Sequence, residues 1–254
     1  MASVLTEVSG DVACLTLSAP GRRNPVSRAV QHELGTELRR ITCDDGVRFV
    51  VLRGEGGNFS SGGDLEELKD GLPLNYVSDY WERMGKTVLH LRNIDQIVIC
   101  AVQGVALGAG AALALAGDVV LAEEDARFRF QFVHLGLMPD AGTSWLLPTA
   151  VGLPVARDLL LTGRWISALE AHQRGLIARI VPAGTIETAV TSLLDELRIA
   201  PKETLSLAKN LLRRDDFSAT VRMEGVYQQA AAANGNYLTQ IAELHRVLKA
   251  SAPE

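Results

Sequence analysis

Short apolar runs and helical apolar spacings take turns along the first half of the chain. Residues 12–17 form a strand-like apolar run, and 27–41 place Val30, Leu34, Leu38 and Ile41 at helical spacing with Ser27 positioned as an N-cap. Residues 49–52 are continuously apolar, as in strands buried on both faces of a sheet. After the glycine-rich turn GEGGNFSSGGD come a helical stretch through Trp81 and Leu91, a strand over 97–102, a helix after Gly108 and a strand over 119–122. This alternation predicts βαβ units, with parallel strands joined by right-handed crossovers. Beyond Pro139 the pattern turns helical, over 159–161, 168–175, 185–197, 201–212 and 227–248, with Gly and Pro between the stretches. No repeat or flexible linker intervenes. The expected organisation is an α/β core over 1–200 and a helical region over 201–254 that packs on a neighbouring subunit.

Residues 97–117 carry no charge and are long enough to span a membrane. Four glycines, Gln103 and an abrupt change from β-branched to Ala/Gly/Leu-rich sequence predict a buried strand, a turn and a buried helix there instead.

Composition narrows the function classes. The 254 residues are 47% apolar and 22% charged, which fits a globular protein and excludes a disordered or coiled-coil one. A net charge of −5 supplies no general basic field for nucleic acid or an anionic membrane, so neither is expected as a partner. Cys14, Cys43 and Cys100 are odd in number and far apart, so they read as buried thiols in a reducing compartment rather than a disulfide framework or metal site. The first residues lack the pattern of a secretory signal, and a cytoplasmic enzyme without bound metal is the expectation.

Two glycine-containing turns about forty residues apart concentrate the chemistry: 59–65, FSSGGDL, and 103–110, QGVALGAG. Each follows a strand and precedes a helix, where backbone N–H groups are left unpaired and point outward. Two such donors converging on one point make an oxyanion hole, although either turn alone is equally a tight connection. A dinucleotide fingerprint is incomplete, because its third glycine would fall at Leu113. No GxSxG elbow occurs, and His32, His90, His134, His172 and His245 have no metal-ligand or triad spacing. His134, near Asp140 in sequence, is the one histidine with a candidate role.

In order, the chain reads FSSGGDL, then AVQGVALGAGAALALAGDVVLAEEDARF, then FVHLGLMPDAGTSWLLP, then ISALEAHQRGLIARIVP. Over residues 10–213 this resembles the crotonase superfamily of enoyl-CoA hydratases and isomerases. The resemblance implies a spiral of ββα units, a helical C-terminal trimerisation region giving a homotrimer or dimer of trimers, and a substrate carried as a coenzyme A thioester with no other cofactor. In that family two backbone N–H groups hold the thioester carbonyl, and those positions match Gly63 and Ala109. Asp64 and Asp118 match GxD and GD positions that are usually structural. Arg22 and Arg23 match the region near the coenzyme A pantetheine and phosphates. Ser61, Asp64, Leu65, Phe132 and Trp145 complete the expected substrate contacts.

The departures from the family pattern matter most. The two glutamates of hydratases match Ala112 and Phe132 here, so the groups that activate water and deliver a proton are missing. Asp140, in GLMPDAG, stands where hydratases tend to have glycine and some isomerases have aspartate. Its surroundings, with Met138 and Trp145, predict a carboxyl pKa raised by desolvation, and it also suits a helix N-cap. The resemblance therefore implies an acyl-CoA double-bond isomerase of the Δ3-Δ2 enoyl-CoA or epoxide/oxepin-CoA type, with Asp140 as acid/base. A non-catalytic acyl-CoA-binding protein and a hydratase of atypical mechanism are the alternatives.

Overall fold

A strand with no polar alternation survives in water only when both its faces are covered. The computed structural model describes residues 2–19, 21–69, 79, 81–213, 216–233 and 236–250, and a central sheet of that kind organises them. Strand β1 (Ser3–Ser9) turns back antiparallel into β2 (Val12–Ser18). Helix α1 (Arg28–Thr42) follows, started by Ser27, whose hydroxyl accepts from Val30 N–H as expected of an N-cap. Then come β3 (Phe49–Gly54), the short helix α2 (Leu65–Leu68), a π-helical turn (Trp81–Gly85) and α3 (Lys86–Asn93). Strands β4 (Ile97–Val102) and β5 (Val105–Leu107) lead into α4 (Ala109–Leu115), β6 (Val119–Glu123) and β7 (Arg127–Arg129). A 3₁₀ turn (Phe132–Leu135) precedes α5 (Thr143–Val151), α6 (Leu153–Thr162), β8 (Trp165–Ser167), α7 (Ala168–Gln173) and β9 (Arg179–Val181). Four helices end the chain: α8 (Ile186–Arg198), α9 (Lys202–Leu211), α10 (Phe217–Ala233) and α11 (Asn236–Ala250).

The larger sheet runs β1-β2-β3-β4-β6-β9 and is parallel from β2 onward; β5-β7-β8 form a second, smaller sheet. Register explains the continuous apolar runs. Leu15, Leu52, Cys100 and Val120 sit side by side across four strands and face one core with α1, α3 and α4. The next rung faces the other way, where Val51 and Ile99 pack with Ile186, Val190, Leu193 and Leu194 of α8. Among the described residues no helix is long and apolar enough to cross a membrane, and 97–117 holds a buried strand and helix as expected, with a second short strand, β5, where only a turn was expected.

Three expectations change. The region after Pro139 is not purely helical, because β8 and β9 lie within it; three-residue strands are too short to impose a period of two. The stretch 227–248 is divided between α10 and α11, with residues 234–235 outside the described set. Cys14 is half-buried, and Cys43 is exposed because it caps the C-terminus of α1; of the three thiols Cys100 alone is fully buried.

The last helices are tied to the sheet by charge. Lys209 of α9 is 8% exposed, and its ammonium lies 2.7 Å from the Asp118 carboxylate while donating to Gln96 C=O at 2.8 Å. Asp118 in turn accepts from Val98 N–H at 2.8 Å, which fits its expected structural role. Burial lowers the Lys209 pKa and raises that of Asp118, with each partner pulling the other back. Lys209→Met should therefore cost about 2 kcal/mol in urea unfolding, because it leaves the Asp118 carboxylate and the Gln96 C=O without their charged partner, and adding Asp118→Asn should recover part of the loss.

Candidate active site

The two glycine turns meet. Ser60 N–H donates to Val105 C=O and Leu107 N–H to Ser60 C=O, which fastens the loop after β3 alongside β5. Gly62 has φ +85°, and a Cβ there would lie 2.5 Å from Leu107 O and 3.6 Å from Ala109 N, so glycine is required for the approach. Gly108 bends the other turn at φ 47° and ψ −118°, delivering Ala109 as the first residue of α4. The neighbouring amides are spoken for: Ser61 N–H donates to Arg23 C=O, Gly62 N–H to Ser60 Oγ and Gly108 N–H to Arg129 C=O. The amides of Gly63 and Ala109 donate to nothing among the described residues, and both residues border one cavity of about 100 Å³.

That cavity also brings together Ser61, Asp64, Leu65, Phe132 and Asp140 of the expected site, over an apolar lining that includes Val26, Met84 and Leu137. Arg22, Arg23 and Trp145 are not brought to its wall. Arg22 reaches it at one remove, donating to Asp64 Oδ1 at 2.6 Å with 47% of its side chain exposed. Arg23 is exposed on the turn before α1. Trp145 is packed edge-on against Phe217 at 5.1 Å with the Arg92 guanidinium 5.2 Å from its ring, a structural cluster behind α5. His134 is exposed, 3.2 Å from Arg129, and faces a different hollow beside α11. Ala112 is fully buried inside α4. Among the described residues no cluster of three His, Cys, Asp or Glu side chains could hold a metal ion.

Three carboxylates stand in the cavity wall, and two have structural duties. Asp64 caps α2 by accepting from Glu66 N–H and binds Arg22. Glu67 accepts from Arg28 N–H at the start of α1. Asp140 differs. It is 8% exposed, and its Oδ1 is buried with no hydrogen-bond partner. Its side chain is not the N-cap that the sequence allowed; only its backbone C=O serves α5, accepting from Thr143 N–H at 2.9 Å.

The amides at the start of α5 are capped from elsewhere. Glu224 of α10, buried at 4% exposure, accepts from Gly142 N–H at 2.8 Å, Ser144 N–H at 2.8 Å and Ser144 Oγ–H at 2.6 Å. One turn further along the same helix, Gln228 accepts from Met138 N–H at 2.6 Å. The two side chains thus grip the chain on both sides of Asp140, where Ala141 adopts φ 55°, uncommon for a residue with a Cβ. Desolvation, and secondarily the nearby Glu224 charge, hold the Asp140 carboxyl well above the ordinary range. Burial also raises Glu224, against the pull of its hydrogen bonds to Ser144 and Gly142.

Glu224 and Gln228 belong to no motif in the sequence, being polar members of a core-facing helix stripe. The signal was present: Val221, Glu224, Gly225 and Gln228 have the spacing of one face, and all are buried.

The model of the enoyl-CoA hydratase/isomerase family matches residues 7–242. A 1,2-epoxyphenylacetyl-CoA isomerase of Escherichia coli K12 is 34% identical over 244 residues, covering 93% of each chain. An enoyl-CoA hydratase structure from Mycobacterium avium subsp. paratuberculosis K-10 superposes with a TM-score of 0.87 at 26% identity, covering 95% of this chain and 98% of that one. A Thermobifida fusca YX protein solved with acetoacetyl-CoA is 33% identical, with a TM-score of 0.76 over 90% of this chain and 95% of its own.

The raised Asp140 pKa has a stability consequence. Protonation is favoured in the folded state, so the stabilisation it brings is complete below the unfolded-state pKa and is lost as pH rises through the folded value. Asparagine mimics the protonated form. Asp140→Asn should therefore raise Tm by roughly 2–5 °C at pH 8, with the gain shrinking as pH falls toward 4, as read by calorimetry.

Proposed function

The chain belongs to the enoyl-CoA hydratase/isomerase family, and within it we propose that it moves a double bond in an acyl-CoA thioester with Asp140 carrying the proton. The carrying observation is that Asp140 is the cavity carboxylate with an unpartnered buried oxygen, while Asp64 and Glu67 are engaged as caps. The thioester carbonyl would accept from the Gly63 and Ala109 amides, which donate to nothing among the described residues. Ionised Asp140 would take a proton from the α-carbon, and the electron pair would pass into the thioester as a dienolate held by those amides. Return of the proton to the γ-carbon moves the double bond from the β,γ to the α,β position. One carboxyl suffices, because the same group removes and returns the proton.

Three further points support this reading. The positions of the two hydratase glutamates hold Ala112 and Phe132, neither of which transfers a proton. The E. coli relative is an isomerase by name, and the T. fusca relative was solved with an acyl-CoA thioester. The raised Asp140 pKa makes a stronger base once the group ionises. The apolar side chains of Ile199, Leu207, Leu211 and Leu212 are 69–88% exposed on and around α9, which supports a homotrimer or dimer of trimers.

Asp140→Asn should leave acyl-CoA binding in place and lower isomerisation of a 3-enoyl-CoA by roughly 10²–10⁴-fold in a spectrophotometric assay, with His134→Ala near wild type. Full turnover in Asp140→Asn would remove it as the acid/base. Absence of double-bond movement in the wild type, with acyl-CoA still bound, would favour the binding protein. The base must be ionised, so kcat/KM should rise with pH through a value above the ordinary aspartate range. Light scattering should give a multiple of three chains at micromolar concentration.

A further inference from the structure

Gln228 stands in the cavity wall, 2% exposed, and the scheme above gives it no chemical task. Met138 N–H donates to its Oε1 at 2.6 Å. A backbone N–H meets only the oxygen end of a carboxamide, so this bond fixes which way the amide group faces and leaves Nε2 as its remaining donor. That nitrogen has no hydrogen-bond partner among the described residues. The unpaired donor therefore belongs to a side chain locked at one end by the backbone next to Asp140 and enclosed by the cavity. Nearby Phe132, Leu135 and Leu137 bring only hydrocarbon to the lining. The nitrogen opens into the cavity, so a hydrocarbon acyl chain that displaces water there leaves the donor unpaired, whereas an acceptor on the ligand satisfies it.

The thioester oxygen is already matched with the Gly63 and Ala109 amides, and Gln228 is anchored to Met138 beside Asp140, the group that acts on the acyl carbons, which favours an acceptor on the acyl group over one on the pantetheine arm. We propose that Gln228 Nε2 donates to an oxygen on the acyl chain close to the thioester, making the site selective for oxygen-bearing acyl-CoA thioesters (ether, epoxide or hydroxyl) over plain hydrocarbon ones. This rests on the acyl-CoA reading of the cavity but not on the isomerase step. Selectivity of this kind is steep in principle, since a hydrocarbon chain leaves the enclosed donor without a partner.

The test is binding, measured by calorimetry with three saturated thioesters of equal acyl size: hexanoyl-CoA, propoxyacetyl-CoA with an oxygen at the β position, and 3-ethoxypropanoyl-CoA with one at the γ position. None carries a double bond to move. At least one ether should bind wild type about 3- to 10-fold more tightly than hexanoyl-CoA, and Gln228→Met should abolish that preference while retaining hexanoyl-CoA binding. Gln228→Glu keeps an acceptor for Met138 N–H but loses the amide donor, so it should also lose the preference if the methionine variant fails to fold. Equal binding of all three by wild type, or a variant that weakens all three by one factor, overturns the proposal with the acyl-CoA reading intact. If none of the three binds, the acyl-CoA reading itself falls, and the proposal with it.

Discussion

An ionisable carboxyl enclosed with one oxygen unpaired is unfavourable for any fold, and the geometry around the cavity depends on holding one there. Asp140 keeps its place because its backbone has no freedom to turn the side chain out. Glu224 fixes Gly142 and Ser144 on one side, and Gln228 fixes Met138 on the other. Glu224 caps α5 as a free-standing N-cap would, yet it comes from a helix eighty residues later in the chain. Had Asp140 capped α5 with its own side chain, the carboxylate would have been spent on amides and its basicity lowered rather than raised.

This arrangement requires the C-terminal helices to be firmly seated. The Lys209–Asp118 pair anchors α9 to the sheet, and Phe217 at the start of α10 packs on Trp145 of α5. Coverage of both faces of the parallel sheet supplies the rigid frame from which the two glycine turns project. Each link is ordinary packing, and together they bring residues from four separate stretches, near 60, 109, 140 and 228, to one cavity.

Much of this was legible in the sequence, and the rest was hidden for definite reasons. That β2, β3, β4 and β6 lie parallel in a sheet covered on both faces follows from their apolar runs and the helical stretches between them. Gly63, Ala109 and Asp140 stand out because the order of the turns is that of the crotonase superfamily, and the structure places all three at the cavity. Strands β8 and β9 escaped because three residues give no periodic signal. Trp145 reads in the sequence as an apolar substrate contact beside Asp140, but a large aromatic also serves as core, and here it packs on Phe217 and Arg92. The grip of Glu224 and Gln228 could not be seen, because nothing local in a helix stripe reveals which distant amides its polar members will meet.

In the proposed reaction a single enclosed carboxyl both removes and returns the proton. Isotope transfer tests it directly: a 3-enoyl-CoA deuterated at the α-carbon is converted in ordinary water and the product is examined by NMR. A shuttle on Asp140 shielded from solvent predicts product that retains measurable deuterium at the γ-carbon from the first turnover. Product carrying only solvent hydrogen at that carbon, even at the earliest times, would contradict a single proton carrier.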